Sequence, residues 1–349
     1  MPNTRPGSIF KDGVCQACLN HDKRKEIDWD LRKKKLDNMC RSLKSNRPDK
    51  YDCIIAISGG KDSYFITDLY LKMGLNPLLV RVSDGFSMSK ESKYNLKNLI
   101  TISKCDFIEI SISPYYFREL TRSGFEELGN FPFFDYMIYN MPIRLAQKMG
   151  ISAVFYGENP SYEYGTSAED SFLVPLTTSC DSNLIWIRET CPDLISDLLV
   201  PTEWDKATKA IYTSYFIPWS GYGNYEFAKK MGFKSLDYRR SGNIEDYDQI
   251  DSWGWQISNY LKFLKFGFGR STDIASRLIR EGRLERYFGI KMVEAFDSKL
   301  DDSILYDFLN FTGYTETEFW NIANRWVNRD ILTNDSGYWI LKPELKSGG

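Results

Sequence analysis

Six small and polar residues, Ser58-Gly59-Gly60-Lys61-Asp62-Ser63, stand directly between an apolar run at 52–57 and a helical pattern at 62–73. The apolar run predicts a buried strand. Two glycines let the backbone approach a phosphate closely, and the N–H groups of the loop and of the helix N-terminus form an anion cradle. The serine hydroxyls add donors, Lys61 can neutralise a leaving pyrophosphate, and Asp62 suits the first helical turn. The segment therefore predicts a strand, a phosphate-binding loop and a helix.

The remaining pattern extends this unit into a larger α/β fold. Further strands are predicted at 77–82, 106–110 and 152–156, and helices at 27–43, 90–103 and 136–149. Strands that alternate with helices favour a doubly wound parallel sheet, whose loops meet at one ligand-binding edge. We divide the chain into a cysteine-containing N-terminal segment and helix (1–45), the nucleotide-binding domain (46–215) and a mostly helical substrate or partner region (216–349).

Composition excludes several classes of function. The single histidine, His21, rules out a Ser-His-Asp triad or a multi-histidine metal site elsewhere in the chain. The formal net charge of -2 gives no general field for nucleic acid or anionic membranes. No apolar run is long enough to predict a membrane-spanning helix. Seven cysteines without regular spacing indicate a reducing compartment, and we expect the protein to be cytoplasmic.

The loop is neither a Walker loop nor a dinucleotide-binding fingerprint, because the glycine spacing of both is missing. It resembles the Ser-Gly-Gly-x-Asp-Ser signature of the PP-loop ATP pyrophosphatases, which have an adenine nucleotide alpha hydrolase-like fold. The resemblance implies ATP and Mg²⁺, cleavage between the α- and β-phosphates, and an adenylated intermediate. It makes Lys61, Asp62 and Ser63 catalytic and the whole loop nucleotide-binding. By position, Ser83 and Asp84 resemble the part that meets adenosine, with a solvated turn as the alternative.

A wider resemblance is spread along the chain. Its segments are 1–7, 13–18, the phosphate loop, 157–159, 163–165, 217–222, 224–228 and 265–273. Together they resemble the N-acetyl sugar amidotransferases of lipopolysaccharide O-antigen and related surface-sugar biosynthesis. This family implies an AMP-forming, ATP-dependent C–N ligase that turns the acetamido group of an N-acetylated nucleotide-sugar into an acetamidino group.

The same resemblance suggests which residues contact the substrate. Gly157, Glu158 and Asn159 end a predicted strand at the ligand edge, although Asn159 could equally cap a helix. Basic residues crowd the later sequence: Lys262, Lys265, Arg270, Arg277, Arg280, Arg283 and Arg286. We expect most of them to form a solvated helix face paired with acidic residues. Arg270 and Asp273, in the glycine-rich family segment, are expected to bind substrate.

The ammonia source follows partly from exclusion. A Cys-His glutaminase would need His21, and an N-terminal cysteine nucleophile is excluded because residue 2 is proline. Ammonia is then free or comes from a separate glutaminase. In the family that this chain resembles, the partner is similar to the glutaminase and cyclase subunits of imidazole glycerol phosphate synthase.

The cysteines leave two interpretations open. Cys15, Cys18 and His21 have the residue types of a zinc site, which normally needs four ligands; Cys40 could be the fourth. The alternative is a pair of reduced cysteines in a loop. Cys180 and Cys191 could form a redox pair, although buried thiols are favoured.

Two other functions remain open at this stage. One is a PP-loop tRNA-modifying enzyme, either a thiolase or a lysidine-type ligase, which would require a basic groove. The other is a catalytically silent subunit that binds nucleotide and scaffolds a glutaminase. The net charge of -2 counts against the first, and the intact loop counts against the second.

Overall fold

The computed structural model describes residues 2–45, 50–165, 171–174, 181–199 and 208–346. Its strands are β1 (Phe10–Lys11), β2 (Val14–Cys15), β3 (Cys53–Ala56), β4 (Pro77–Val82), β5 (Phe107–Ile110), β6 (Ala153–Tyr156), β7 (Lys209–Tyr212), β8 (Leu332–Asp335) and β9 (Tyr338–Leu341). The two pairs β1–β2 and β8–β9 are short antiparallel hairpins. The other five strands form the sheet that positions the site.

The α-helices follow the same chain order. They are α1 (Gln16–Lys23), α2 (Trp29–Leu43), α3 (Lys61–Lys72), α4 (Lys90–Ser103), α5 (Pro114–Ser123), α6 (Pro132–Met149), α7 (Pro160–Tyr164), α8 (Ser182–Thr190), α9 (Gly221–Lys230), α10 (Gly254–Phe266), α11 (Arg270–Arg280), α12 (Arg286–Phe296), α13 (Asp302–Thr312), α14 (Glu316–Ala323) and α15 (Pro343–Lys346). Short 3-10 turns lie at Arg24–Glu26, Thr213–Tyr215 and Asn324–Trp326, and a π turn at Gly124–Leu128. None of the helices in these described ranges is long and apolar enough to cross a membrane.

The central sheet is parallel throughout, with strand order β5-β4-β3-β6-β7. The chain starts in the middle at β3, moves outward to β5, and then returns to place β6 beside β3. This reversal between β3 and β6 is a topological switch point, where parallel sheets open a crevice for ligands. The predicted α/β doubly wound fold is confirmed. The edge strand β7 was not predicted, because its four residues carry too short an apolar pattern.

Helices cover both faces of the sheet. Ile54, Leu78 and Val154 point into one apolar cluster, whereas Cys53, Leu79 and Phe155 point into the other. The first cluster also takes in side chains of α6, α10, α13 and α14, and the second takes in those of α2, α3, α4 and α9. Burial on both faces explains why the strands are continuously apolar. The mostly helical C-terminal part thus completes both layers, while the three-part division of the chain stays a prediction.

Gly59 is a position where the phosphate loop requires glycine. Its φ is +88°, and a Cβ atom built there would lie 3.0 Å from Leu96 Cβ and 3.1 Å from Leu96 Cα. Gly150, which ends α6 with φ +67°, has open space around it. A left-handed conformation costs a non-glycine residue about 1–2 kcal/mol. Overpacking adds roughly 1–3 kcal/mol.

We therefore expect Gly59→Ala to lower the free energy of unfolding by more than Gly150→Ala, which bears the backbone cost alone. Urea denaturation of both variants measures the difference. Equal losses would show that α4 does not press against the loop.

Candidate active site

The serines of the phosphate loop hold the loop in shape. Ser63 Oγ accepts hydrogen bonds from the N–H groups of Ser58 (3.0 Å) and Gly59 (3.2 Å), and Ser58 Oγ accepts one from Gly60 N–H (3.2 Å). A hydroxyl has two acceptor positions and one proton. Ser63 uses both acceptor positions within the loop, so its proton is left to donate to a ligand at the N-terminus of α3.

Lys61 and Asp62 form an ion pair at the start of α3. Lys61 Nζ lies 2.7 Å from Asp62 Oδ2, and Asp62 Oδ1 accepts a 2.7 Å hydrogen bond from Asn224 Nδ2 on α9. Burial lowers the pKa of Lys61, but the carboxylates of Asp62, Asp248 and Glu158 outweigh it, and the pKa lies above its ordinary value. Lys61 is therefore a permanent, buried cation at the switch point.

Two cavities open around this loop, and a third adjoins them at Glu158. The nucleotide cavity, of about 250 Å³, lies at the ends of β3 and β4 and is lined by Ser58, Asp62, Ser63, Arg81, Asp84, Asp251 and Trp255, among others. The central cavity, of about 550 Å³, is lined by Gly60, Lys61, Asp135, Tyr164, Asp248 and Arg270, among others. The basic cavity, of about 420 Å³, is lined by His21, Arg24, Lys25, Trp29, Trp219, Arg277, Arg280 and Arg283, among others. Glu158 lines all three.

Glu158 follows β6, directly across the switch point from the phosphate loop. Burial, together with the nearby carboxylates of Glu163 and Asp62, raises its pKa to about 7, against the opposing effect of Lys61 and Arg270. A carboxyl group with a pKa near neutrality is suited to general acid–base catalysis. Glu158 thus lies where the three cavities meet, and its carboxyl group can exchange a proton with a ligand there.

The raised pKa of Glu158 predicts a pH-dependent stability. Between its ordinary value of 4.5 and about 7, the folded protein binds more protons at this site than the unfolded chain does. Stability therefore falls as the pH rises through this window. One pKa unit corresponds to about 1.4 kcal/mol.

We expect the free energy of unfolding of the wild type to fall by roughly 1–3 kcal/mol more than that of Glu158→Gln across this window. Urea denaturation at several pH values measures the difference. Burial raises the pKa values of Asp84 and Asp135 to about 6. Both groups titrate in the wild type and in the variant, so their contributions cancel in the difference between the two proteins. Parallel pH profiles would contradict this prediction.

Arg270 lies in the wall of the central cavity, at the start of α11. Its Nε and Nη2 atoms donate to the two carboxylate oxygens of Asp248, at 2.7 and 2.8 Å, and Nη1 donates to the Tyr164 hydroxyl at 2.9 Å. The two-point geometry fixes the guanidinium plane. Burial raises the pKa of Asp248, but the Arg270 guanidinium outweighs it and holds the pKa well below its usual range. Asp248 was not found from the sequence, because it lies in a loop without periodicity.

Asp273, one turn further along α11, has a different environment. Its carboxylate accepts a 2.7 Å hydrogen bond from Lys262 Nζ and pairs with Arg5 on the other oxygen. It is buried and does not line any of the three cavities. The structure thus separates the two residues that the sequence grouped together: Arg270 faces the central cavity, whereas Asp273 ties the N-terminal segment to α11.

Ser83 and Asp84, at the end of β4, differ in whether they reach a cavity. Asp84 lines the nucleotide cavity, and its Oδ1 accepts a 3.1 Å hydrogen bond from Phe86 N–H. Ser83 Oγ accepts from Arg81 Nη1 at 3.2 Å and is not among the residues that line this cavity. Asp251 and Trp255 line the same cavity from the loop before α10 and from α10 itself. No sequence motif or periodicity points to these two residues.

The Gly157-Glu158-Asn159 segment divides its roles. A Cβ atom at Gly157 would lie 3.0 Å from Trp219 Cη2, so this glycine lets the indole approach. Asn159 is buried and caps α7, because its side chain accepts from Ser161 N–H at 2.8 Å. Its Nδ2 group also donates to the Ser171 carbonyl. Asn159 therefore shapes the loop and also lines the basic cavity, whereas Glu158 lines all three cavities.

The zinc prediction for Cys15, Cys18 and His21 finds no support. The two sulfur atoms lie 3.5 Å apart, while His21 lines the basic cavity. Cys40 is buried against Met73 Sδ, in the apolar cluster under the sheet. Within the described part of the chain, no group of three or more His, Cys, Asp and Glu residues is arranged to hold a metal ion. Cys191 is a buried thiol, and Cys180 lies outside the described residues.

The prediction that most basic residues of α11 and its surroundings form a solvated face is wrong for Arg277. This side chain is only 5% exposed and pairs with Glu245 (3.1 Å) and Glu163 (3.6 Å). Arg280 donates from Nη2 to the Glu163 carbonyl at 2.9 Å. Both line the basic cavity, because α11 packs its basic face toward α7 rather than toward solvent.

Comparison with known proteins adds a family. Residues 211–346 match the family described as "LPS biosynthesis protein WbpG-like, C-terminal domain". The C-terminal part is therefore similar to that domain. It begins within β7 and extends through α9–α15, so it contributes Asn224, Asp248, Arg270 and Arg277 to the site. The resemblance to surface-sugar biosynthesis proteins is thereby confirmed for the segment in which the match lies.

Solved structures give weaker likenesses. An NMN synthetase from Francisella tularensis is 14% identical with a TM-score of 0.34, over 84% of this chain and 96% of that one. An NH3-dependent NAD synthetase from Campylobacter jejuni is 13% identical with a TM-score of 0.35, over 82% and 94%. None of the curated proteins matches the chain significantly. Because both TM-scores are low, the fold assignment rests on the strand order and the loop geometry.

Proposed function

We propose that the protein is an ATP-dependent amidotransferase that converts an acetamido group of an N-acetylated sugar into an acetamidino group, releasing AMP and pyrophosphate in surface polysaccharide biosynthesis. The observation that carries this proposal is the phosphate loop at the switch point, with buried Lys61, opening toward a second cavity through Glu158. A site that joins a nucleotide to a second substrate requires this arrangement. The WbpG-like domain supports the sugar pathway.

In this proposal the nucleotide lies along the switch point. The adenosine occupies the nucleotide cavity beside Asp84 and Trp255, and the β- and γ-phosphates lie on the loop, where Lys61 and the N-terminus of α3 offset their charge. Magnesium is usually held by one or two carboxylates together with substrate phosphates. Asp62 lines both the nucleotide and the central cavity and fits that role. The ion would neutralise phosphate charge when bound.

The proposed reaction requires ATP because an amide lacks a good leaving group. Its carbonyl oxygen is a poor leaving group, so the oxygen first attacks the α-phosphorus of ATP, and the bond to pyrophosphate breaks. Ammonia then adds to the carbon of the adenylated imidate, the added nitrogen loses a proton, and the C–O bond breaks to release AMP. Lys61 stabilises the leaving pyrophosphate. Glu158, with its raised pKa, accepts the proton from the added ammonia.

Ammonia in this proposal comes from a separate glutaminase, similar to that of imidazole glycerol phosphate synthase with its cyclase. The single histidine supports an external source. We expect the purified chain to use ammonium salts and to be inactive with glutamine until such a glutaminase is added. Glutamine-dependent turnover by the chain alone would contradict this part of the proposal.

Mass spectrometry tests the main proposal. A diacetamido nucleotide-sugar is incubated with the protein, ATP, Mg²⁺ and ammonium, and the sugar and the nucleotides are analysed. Replacement of one amide oxygen by NH, with AMP and pyrophosphate formed in equal amounts, is the expected result. AMP without the amidine would overturn the sugar acceptor and favour tRNA modification. Nucleotide binding without AMP formation from any acceptor would favour a silent subunit.

A further inference from the structure

The basic cavity is distinct from the place where ATP would lie. None of the loop residues 58–63 lines it, and among the described residues only Glu158 is shared with the nucleotide cavity. Within the same part of the chain, five Lys and Arg side chains line it, against three Glu side chains. Two of the glutamates are engaged with arginines of the same wall, Glu163 with Arg277 at 3.6 Å and Glu281 with Arg283 at 3.4 Å. The lining therefore carries an excess of positive charge.

Buried donors of this wall lack partners. Arg277 Nε, Arg280 Nη1 and Trp219 Nε1 are inaccessible to solvent and make no hydrogen bond within the described part of the chain. An unsatisfied buried donor destabilises the folded protein, and a charged one does so more strongly. Gly221 leaves room for the Arg277 guanidinium, because a Cβ there would lie 3.2 Å from its Cζ. Donors held in place without acceptors are typical of a site that receives an acceptor from outside.

Aromatic rings complete the cavity. Arg24 lies over the Tyr162 ring at 4.2 Å and the Trp29 ring at 5.2 Å, and Arg283 lies over Tyr222 at 4.2 Å. Trp29, Tyr162 and Trp219 also line the cavity. Rings of this kind pack against the apolar face of a sugar while the cations bind its charged groups.

We propose that the basic cavity binds an oxyanion carried by the acceptor sugar, either a phosphate or a carboxylate, and thereby presents the acetamido group to Glu158. Arg280 is the main contact, because it lines the cavity and its Nη1 group makes no hydrogen bond to any residue that the structure describes. The inference rests on the proposed function for the identity of the acceptor. The site itself rests only on charge, burial and unpaired donors.

Binding measurements test the site without turnover. Calorimetry is run on the full chain with α,β-methylene-ATP present, so that the phosphate loop is filled. The probes are N-acetylglucosamine, its 1-phosphate and its uronic acid. We expect at least one anionic sugar to bind about ten- to a hundredfold more tightly than the neutral sugar, the range of one or more charge-assisted hydrogen bonds. The tighter of the two anions identifies the oxyanion.

Variants locate the binding. We expect Arg280→Gln to remove most of the preference for the anionic sugar, and Arg280→Lys to restore part of it. Lys291→Gln, at an exposed position on α12 outside the cavity, should change nothing. An unchanged affinity for α,β-methylene-ATP would show that Arg280→Gln is folded. Equal binding of all three sugars, or an Arg280→Gln variant that keeps the preference, would overturn the inference.

The two proposals fail in different ways. Anion-selective binding that depends on Arg280, without any amidine formed, would support the cavity assignment and refute the proposed amidotransferase activity. Amidine formation with the same KM for the sugar in Arg280→Gln as in the wild type would support the amidotransferase and overturn the cavity assignment.

Discussion

Replacing Lys61 by alanine is expected to lower the rate of AMP formation by about a hundred- to a thousandfold, the usual loss when one preorganised donor to a developing charge is removed. Lys61 is buried at the N-terminus of α3, paired at 2.7 Å with Asp62. No other lysine lines the nucleotide or the central cavity among the described residues. Pyrophosphate release with saturating acceptor and ammonium measures the rate.

The matched control is Lys72→Ala, at the C-terminal end of the same helix. Its side chain is 71% exposed, so its loss should leave the rate unchanged. Comparable circular dichroism spectra would show that Lys61→Ala is folded. A Lys61→Ala variant that releases pyrophosphate at the wild-type rate would refute the assignment of the loop.

Asp248→Ala is expected to lower the free energy of unfolding by about 3–5 kcal/mol, the cost of leaving one partner of a buried ion pair uncompensated. Asp248 is 4% exposed and accepts two hydrogen bonds from Arg270, which is 7% exposed. Without the carboxylate, the guanidinium keeps one hydrogen bond within the described part of the chain, to the Tyr164 hydroxyl. Equilibrium unfolding in urea measures the loss.

Asp22→Ala is the matched control, because Asp22 forms an exposed pair with Lys25, with side chains 64% and 67% exposed. Such pairs contribute about 0–1 kcal/mol. The double variant Asp248→Ala/Arg270→Met should lose less free energy of unfolding than the sum of the two single variants, because it leaves no buried charge without a partner. A loss in Asp248→Ala no greater than that in Asp22→Ala would show that the pair does not hold α11 in place.

Most elements between residues 46 and 156 were predictable because their signals are local. The bounds of β4 and α4 agree with the prediction at every residue, and β3, β5, β6 and α3 agree to within two. Apolar runs of four to six residues, closed by glycine or polar turns, leave few alternatives. The phosphate loop is equally local, since its six residues are contiguous.

The walls of the cavities could not be predicted in the same way. Asp248, Asp251 and Trp255 come from a segment with no period of 2 or 3.6, and only tertiary packing brings them to the switch point. Arg277 and Arg280 have the spacing of an ordinary solvated helix face. Their placement depends on contacts with α7, which lies more than a hundred residues earlier in the chain.

The N-terminal segment is fastened to the rest by several separate contacts. Arg5 pairs with Asp273, Asn20 Nδ2 donates to the Ser161 carbonyl at 2.8 Å, and Gly165 leaves room for the backbone of Ala17. His21, Arg24 and Trp29 thereby form a wall of the basic cavity without touching the phosphate loop. Under the proposed function, the residues that select the substrate and those that bind ATP thus lie in separate stretches of one polypeptide. Substitutions between residues 21 and 29 would then change which molecule enters the basic cavity and leave the ATP-binding residues unchanged.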